Sequence, residues 1–303
     1  MKRLVLFLTF FSIVALINAQ RVGINTATPN TSAVLDVEST TRGFLPPRMT
    51  TSQRNAIVSP AIGLVIYNST TNCLNYYIGY VWIESCGTGP RYPSGFIPCS
   101  PSNPTLIVEV TNSTTGRTWM DRNLGATQVA TSSLDENAYG DLYQWGRFAD
   151  GHQCRTSLVH SSGLANTAVP NAGNTWDGKF IISGGSPFDW LSPQNINLWQ
   201  AITGTNDPCP SGYRLPTEAE WEAERLSWSS NDEAGAFASP LKLTRAGYRI
   251  RINGLVDSDG SFGLYWSSTR NGTASRHLFF DISDALMITE HRAYGFCVRC
   301  IKN

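Results

Sequence analysis

The stretch RLPTEAEWEAERL, residues 214–226, decides how the rest of the chain is read. Thr217 and Glu220 stand three apart before a run of good helix formers, the pattern of a capping box in which each side chain satisfies the other's backbone N–H. The spacing predicts a helix. At 100° per residue, Ala219, Ala223 and Leu226 fall on one side and Trp221 nearly opposite, so a helix covered on both faces is expected. Downstream, short apolar segments at 241–251, 263–268, 276–282, 286–289 and 295–301 read as strands. A helix followed by strands with long loops between them is an α+β arrangement.

Upstream, LIVEVTNSTTGRTWMDRNLG (106–125) predicts two strands around a Thr115-Gly116 turn, the second carrying Trp119. SLDENAYGDLYQWGR (133–147) has Ala138, Leu142 and Trp145 at helical spacing and predicts a short helix ending near Gly146. In SPQNINLWQAI (192–202), Ser192 as N-cap and Pro193 at the first helical position predict another.

Residues 87–104, dense in Pro, Gly and Ser, read as a linker, placing one domain at 105–303 and a β-rich stalk or assembly segment at 20–86. The strands of that segment are short and bury little area, so it needs a partner surface. Within it CLNYYIGYVWIESC (73–86) reads as a hairpin turning at Gly79 and Tyr80. That turn sets Tyr77 opposite Trp82 and Cys73 opposite Cys86, a natural geometry for a disulfide.

Residues 1–19, with Lys2 and Arg3 ahead of an apolar run and the small Ala19 at its end, read as a secretory signal peptide. The expected location is therefore outside the cell or on its outer surface, where seven cysteines favour disulfides and their odd number leaves one over. Lys plus Arg equals Asp plus Glu at 23 each, so no global field draws in nucleic acid.

The segments TGRTWMDRNLGA (115–126), YGDLYQWGR (139–147), NDPCPSGYRLPTEAEWE (206–222), GLYWSST (263–269) and YGFCVRCIKN (294–303) occur in this order. Together they resemble the Fibrobacter succinogenes major paralogous domain family, which is similar to the formylglycine-generating sulfatase-modifying factors and to the C-type lectin fold. The resemblance implies a C-type-lectin-like domain with long loops as its ligand surface. The earlier pieces VGINTATPN (22–30), GFLPPRMT (43–50) and GLVIYNSTTN (63–72) resemble the N-terminal segments of secreted Bacteroidetes proteins and of tail-fibre-like adhesins, which implies a possible homotrimer through that segment.

In the related oxidases, catalytic cysteines lie in the approach to the last strand; here that approach, LMITEHRAYG (286–295), contains none, so no enzyme activity is expected. His152, His160, His277 and His291 make no zincin spacing. DSDGS (257–261) offers two carboxylates and a glycine turn but lacks the later glutamate of an EF-hand, so calcium is a minor alternative to a polar turn and no cofactor is expected. Trp119, Trp145, Trp221 and Trp266 lie in the shared motifs and read as core, whereas Trp176, Trp190 and Trp228 are the candidates for exposure.

The resemblance extends to diversified lectin-like receptors, whose variable region corresponds to 270–295. It offers Arg270, Asn271, Ser275, Arg276, His277, Asp284, Glu290, His291 and Arg292 as a recognition surface for a glycan or a protein ligand. A sulfatase-modifying oxidase, a structural or assembly protein and a retroelement-diversified receptor are the alternatives. Cys297 and Cys300, three apart on a strand, project to opposite faces and cannot form one dithiol. Cys300 is assigned to Cys209 and Cys297 to Cys154, leaving Cys99 as the odd thiol.

Overall fold

A computed structural model describes residues 21–85, 90–101, 103–200 and 204–303; the expected signal peptide and Cys86 lie outside the described residues. The chain divides into two units, 1–89 and 90–303, and among the described residues strands predominate over three short helices.

In the first unit β1 (Val22–Ile24) and β2 (Leu35–Val37) pair in parallel as a separate two-stranded arm. A four-stranded sheet follows, with β3 (Arg48–Met49), β4 (Val65–Asn68), β5 (Cys73–Tyr77) and β6 (Trp82–Ser85) side by side in that order. Helix α1 (Thr51–Asn55) starts on a Thr50/Gln53 capping box. The β5–β6 hairpin turns as the sequence predicts: Gly79 takes φ 104°, the Ile78 N–H reaches the Val81 carbonyl at 3.1 Å, and the Tyr77 and Trp82 rings meet at 5.3 Å. Cys73 is buried; its expected partner is the undescribed Cys86.

The second unit runs β7 (Glu109–Asn112), β8 (Arg117–Met120), β9 (Tyr143–Gln144), β10 (Val159–His160), β11 (Phe180–Ile181), β12 (Tyr213–Arg214), α2 (Glu218–Leu226) and α3 (Glu233–Ala238). Then come β13 (Tyr248–Arg249), β14 (Val256–Asp257), β15 (Gly263–Asn271), β16 (Ala274–Phe280), β17 (Ala285–His291), β18 (Gly295–Phe296) and β19 (Ile301–Lys302). The last strand lies between β12 and β8, with Ile301 opposite Trp119, so the start and end of the unit share one sheet. β15, β16 and β17 form an antiparallel meander.

Helix α2 has the expected capping box, reinforced by a fork in which Arg214 grips both Glu220 oxygens at 2.7 and 2.8 Å. Burial pushes the Glu220 carboxyl up, but Arg214 and the Thr217 N–H outweigh it and hold the group at about 2. Trp221 enters the core against Trp119 at 4.8 Å, whereas Ala219, Ala223 and Leu226 face water, so the helix is covered on one side and not on both. Trp119, Trp145, Trp221 and Trp266 are all buried, as expected of the shared motifs. The last three donate their indole N–H to main-chain carbonyls, of Ser267, Trp266 and Tyr143 respectively.

Two expected helices do not form among the described residues. Over 133–147 only a single 3-10 turn forms, at Glu136–Ala138. Gly140 follows at φ 72° with the Leu124 carbonyl 2.4 Å from where a Cβ would stand, and Tyr143 and Gln144 are drawn into pairing with β18. Residues 192–200 form turns, in which the Asn195 side chain accepts the Asn197 N–H and so competes with helical bonding.

The expected linker also differs: from Pro90 onward it belongs to the second unit. Tyr92 and Phe96 stack at 4.3 Å on the core, and the Ile97 N–H and carbonyl bond the Ala149 carbonyl and the Gln153 side chain. This docking brings Cys99 to Cys154, which form a disulfide, correcting the expected Cys154–Cys297 pair. Cys209–Cys300 forms as expected. Among the described residues Cys297, and not Cys99, is free; it is buried beside the Tyr139 carbonyl at 3.5 Å.

Candidate functional site

The residues expected to form a recognition surface divide into two groups. Arg270 and Asn271 are exposed at the β15–β16 turn, where the Asn271 amide reaches the Thr289 hydroxyl at 2.9 Å. Arg276 is half-buried, with Nε 2.8 Å from Glu218 and further bonds to Thr289 and the Met287 carbonyl. Asp284 is exposed and accepts the Asn231 amide; Glu290 and His291 are half-buried.

Ser275, His277 and Arg292 are not surface groups: each is 1% exposed or less. β16 is the middle strand of its sheet and is covered on both faces, by α2 with the Leu278 core on one side and by Trp266 and Phe296 on the other. Alternation on such a strand marks no outward position. His277 lies 5.7 Å from the Trp266 ring and 4.6 Å from Phe296, with neither ring nitrogen hydrogen-bonded. Burial drives its pKa down to about 3. Arg292 lies 4.5 Å over the Trp145 ring and donates to Ser275, Gly272 and Ala274.

Three residues outside that set complete the surface beside His291. The Phe188 ring meets His291 at 4.5 Å and carries the Arg251 guanidinium at 4.3 Å, while Tyr294 lies 5.7 Å from the same guanidinium. Arg251 donates to the Ser183 carbonyl at 2.7 Å and makes no carboxylate pair among the described residues. Nothing local in the sequence joins Phe188, Arg251 and Tyr294; only the fold does. Of the tryptophans expected to be exposed, Trp190 is buried with its indole on the Trp145 carbonyl, and Trp176 and Trp228 are half-buried.

The loop 257–261 is a turn closed on itself, the Asp257 carboxylate accepting the Ser258 N–H at 2.7 Å. At the C-terminus Cys300 is held in its disulfide and burial pushes the Cys297 thiol up to about 12, so the two sulfurs do not act as a pair.

The first unit presents a different kind of surface. Register places Val65 and Tyr67 of β4, Leu74 and Tyr76 of β5 and Ile83 of β6 on one face of the sheet. Val65 is 42%, Leu74 44% and Tyr76 40% exposed. The opposite face is covered and mixed: Ile66 and Cys73 are buried there, and Asn68 and Asn75 are bonded to each other at 3.0 Å and to Thr51 and Arg54 of α1, with Glu84 paired to Arg54 at 3.2 Å. This sheet therefore buries two amides beside apolar residues on its covered face and leaves a second set of apolar residues exposed on the other. The alternation Cys73-Leu74-Asn75-Tyr76 contains that signal.

Residues 23–98 match the family described as a phage tail like trimerisation region. The tail-fibre-like reading of the N-terminal segment is met by this match, which also runs past the unit boundary into the strap that carries Cys99. No curated protein and no solved structure matches the chain. Among the described residues no helix is long and apolar enough to cross a membrane.

Proposed function

We propose that the chain is an exported recognition protein in which a trimeric, tail-fibre-like base displays a ligand-binding unit. The carrying observation is the uncovered apolar face of β4–β6, lying within residues that match a trimerisation region. A contiguous patch of this kind marks an association surface, since each Å² withdrawn from water contributes about 25 cal/mol. Two disulfides in the second unit suit an oxidising compartment.

The second unit is read as C-type-lectin-like because its first and last strands share a sheet while the residues between them run out as loops and short strands. The ligand surface is assigned to Arg270, Asn271, Arg276, Glu290 and His291 with Phe188, Arg251 and Tyr294. Aromatic faces, an arginine without a carboxylate partner and polar side chains at the rim suit a glycan; a protein ligand is the alternative. The reading is of a binder and not an enzyme, because the terminal cysteines offer no reactive thiol.

Sedimentation equilibrium of the chain from Gln20 tests the base: three times the chain mass is expected, and a monomer overturns it. Glycan-array binding tests the display, with loss expected on Arg251→Ala. Binding that survives both Arg251→Ala and Arg276→Ala removes this surface.

A further inference from the structure

The arm and the sheet of the first unit each carry an apolar side left exposed among the described residues of the same chain. In the arm, Val22 stands opposite Leu35 and Ile24 opposite Val37, so all four project to one side; they are 52%, 50%, 53% and 41% exposed. The other side holds Gly23 and Asp36, whose carboxylate accepts the Asn30 N–H at 2.7 Å and closes the intervening turn. The segment leaving the arm continues apolar and exposed at Phe44 and Leu45.

Two strands in parallel have no independent stability in water, because a pair that short buries too little and parallel ladders are found covered on both faces. Among the described residues the arm joins no other strand: its sheet is separate from the β3-β4-β5-β6 sheet. Its conformation therefore requires a surface, and the sheet offers one of matching character in Val65, Tyr67, Leu74, Tyr76 and Ile83. Each copy has one arm and one face. A contact between two different patches is head-to-tail, and it closes without a leftover patch when the rotation forms a ring.

Resting on the trimeric reading above, we propose that the arm of one copy, with the segment leaving it as far as residue 45, lies on the β4–β6 face of the next, and that three such contacts close the trimer. The arm supplies four aliphatic side chains and the face supplies two tyrosines with three aliphatic neighbours. Folding of the arm and assembly are then one event, with the arm ordered only where a neighbour receives it.

Two variants of the chain from Gln20 test this. One carries Leu35→Glu with Val37→Glu on the arm; the other carries Leu74→Glu with Tyr76→Glu on the face. Each is expected to sediment at one third of the parent mass, with Cys297 still protected from alkylation as a sign that the second unit is folded. An equimolar mixture is expected to form a 1:1 dimer, since the face variant retains an intact arm and the arm variant an intact face. A trimer that persists in the arm variant overturns the exchange and leaves the trimeric reading standing. Two monomers that stay apart on mixing overturn it as well. A parent that is itself monomeric fails at the earlier reading, so the two failures are told apart.

Discussion

Arg299 holds Asn123 by two hydrogen bonds to the same oxygen, from Nε at 3.0 Å and from Nη2 at 2.9 Å, in the centre of the second unit. Nη1 reaches the Met120 and Leu241 carbonyls at 3.2 and 2.8 Å. The Asn123 amide passes the connection on to the Ala138 and Tyr139 carbonyls and the Tyr265 hydroxyl. Burial lowers the Arg299 pKa to about 10, which leaves it charged at neutral pH with oxygen dipoles around it. Replacing Arg299 by Met strands three buried acceptors at roughly 1–3 kcal/mol each, so a loss of about 3–5 kcal/mol is expected from urea unfolding. Arg299→Lys recovers little, because an ammonium lacks the planar fork. A loss under about 1 kcal/mol would show that the network carries no weight.

Cys297 is fully buried and its thiol is pushed up to about 12 by that burial. Iodoacetamide at neutral pH is expected to leave it unmodified in the native chain and to label it once the chain is unfolded without reductant. Labelling of Cys99 in its place would reverse the disulfide assignment.

His277 sets an acid limit. Its folded pKa, lowered to about 3 by burial, lies below the ordinary value, so the unfolded chain binds the proton first. The contribution is fully present above about pH 6.5 and is lost as pH falls toward the folded value. His152, lowered to about 4 by burial, acts in the same direction. His277→Phe fills the slot between Trp266 and Phe296, and a shallower decline in melting temperature between pH 6.5 and pH 4 is expected. An unchanged slope would refute it.

Asp141 works in the opposite direction. Its carboxyl is buried, with Oδ2 unpartnered among the described residues, and packs against the α-carbon of Gly125, and burial raises its pKa to about 8. The folded state keeps the proton that the unfolded state releases near pH 4, so this contribution is full below about pH 4 and is lost as pH rises to the folded value. In Asp141→Asn the melting temperature is expected to lose its decline between pH 5 and pH 8. A parallel profile for parent and variant would refute it.

The parts of the fold that were legible from sequence are those set by local chemistry. Thr217 with Glu220 announced α2, and the residues flanking Gly79 announced the β5–β6 hairpin, because caps and turns are decided within a few residues. The two expected helices failed where long-range pairing prevailed, at Tyr143 and Gln144, or where asparagine side chains took the backbone bonds, at 195–197. Of the candidate surface, Arg270, Asn271 and Asp284 were legible because they lie at the ends of strands beside turns. Ser275 and His277 were not, because a strand covered on both faces looks in sequence like one covered on a single face, and Arg292 was not, because only the fold brings it over the Trp145 ring. Cys99 was mistaken for the spare thiol because a Pro- and Gly-rich stretch that docks resembles one that does not.

Trp119 and Ile301 are ladder partners although nearly the whole second unit lies between them in the chain. The sheet that joins its beginning to its end cannot close until the final residues are available, and contacts so distant in sequence form slowly. During synthesis the unit therefore stays open until β19 is made, and Cys209 cannot reach Cys300 before then. Closure of this sheet reports that β19 has joined β8 and β12, and a variant without residues 301–303 would lose the strand that bridges them.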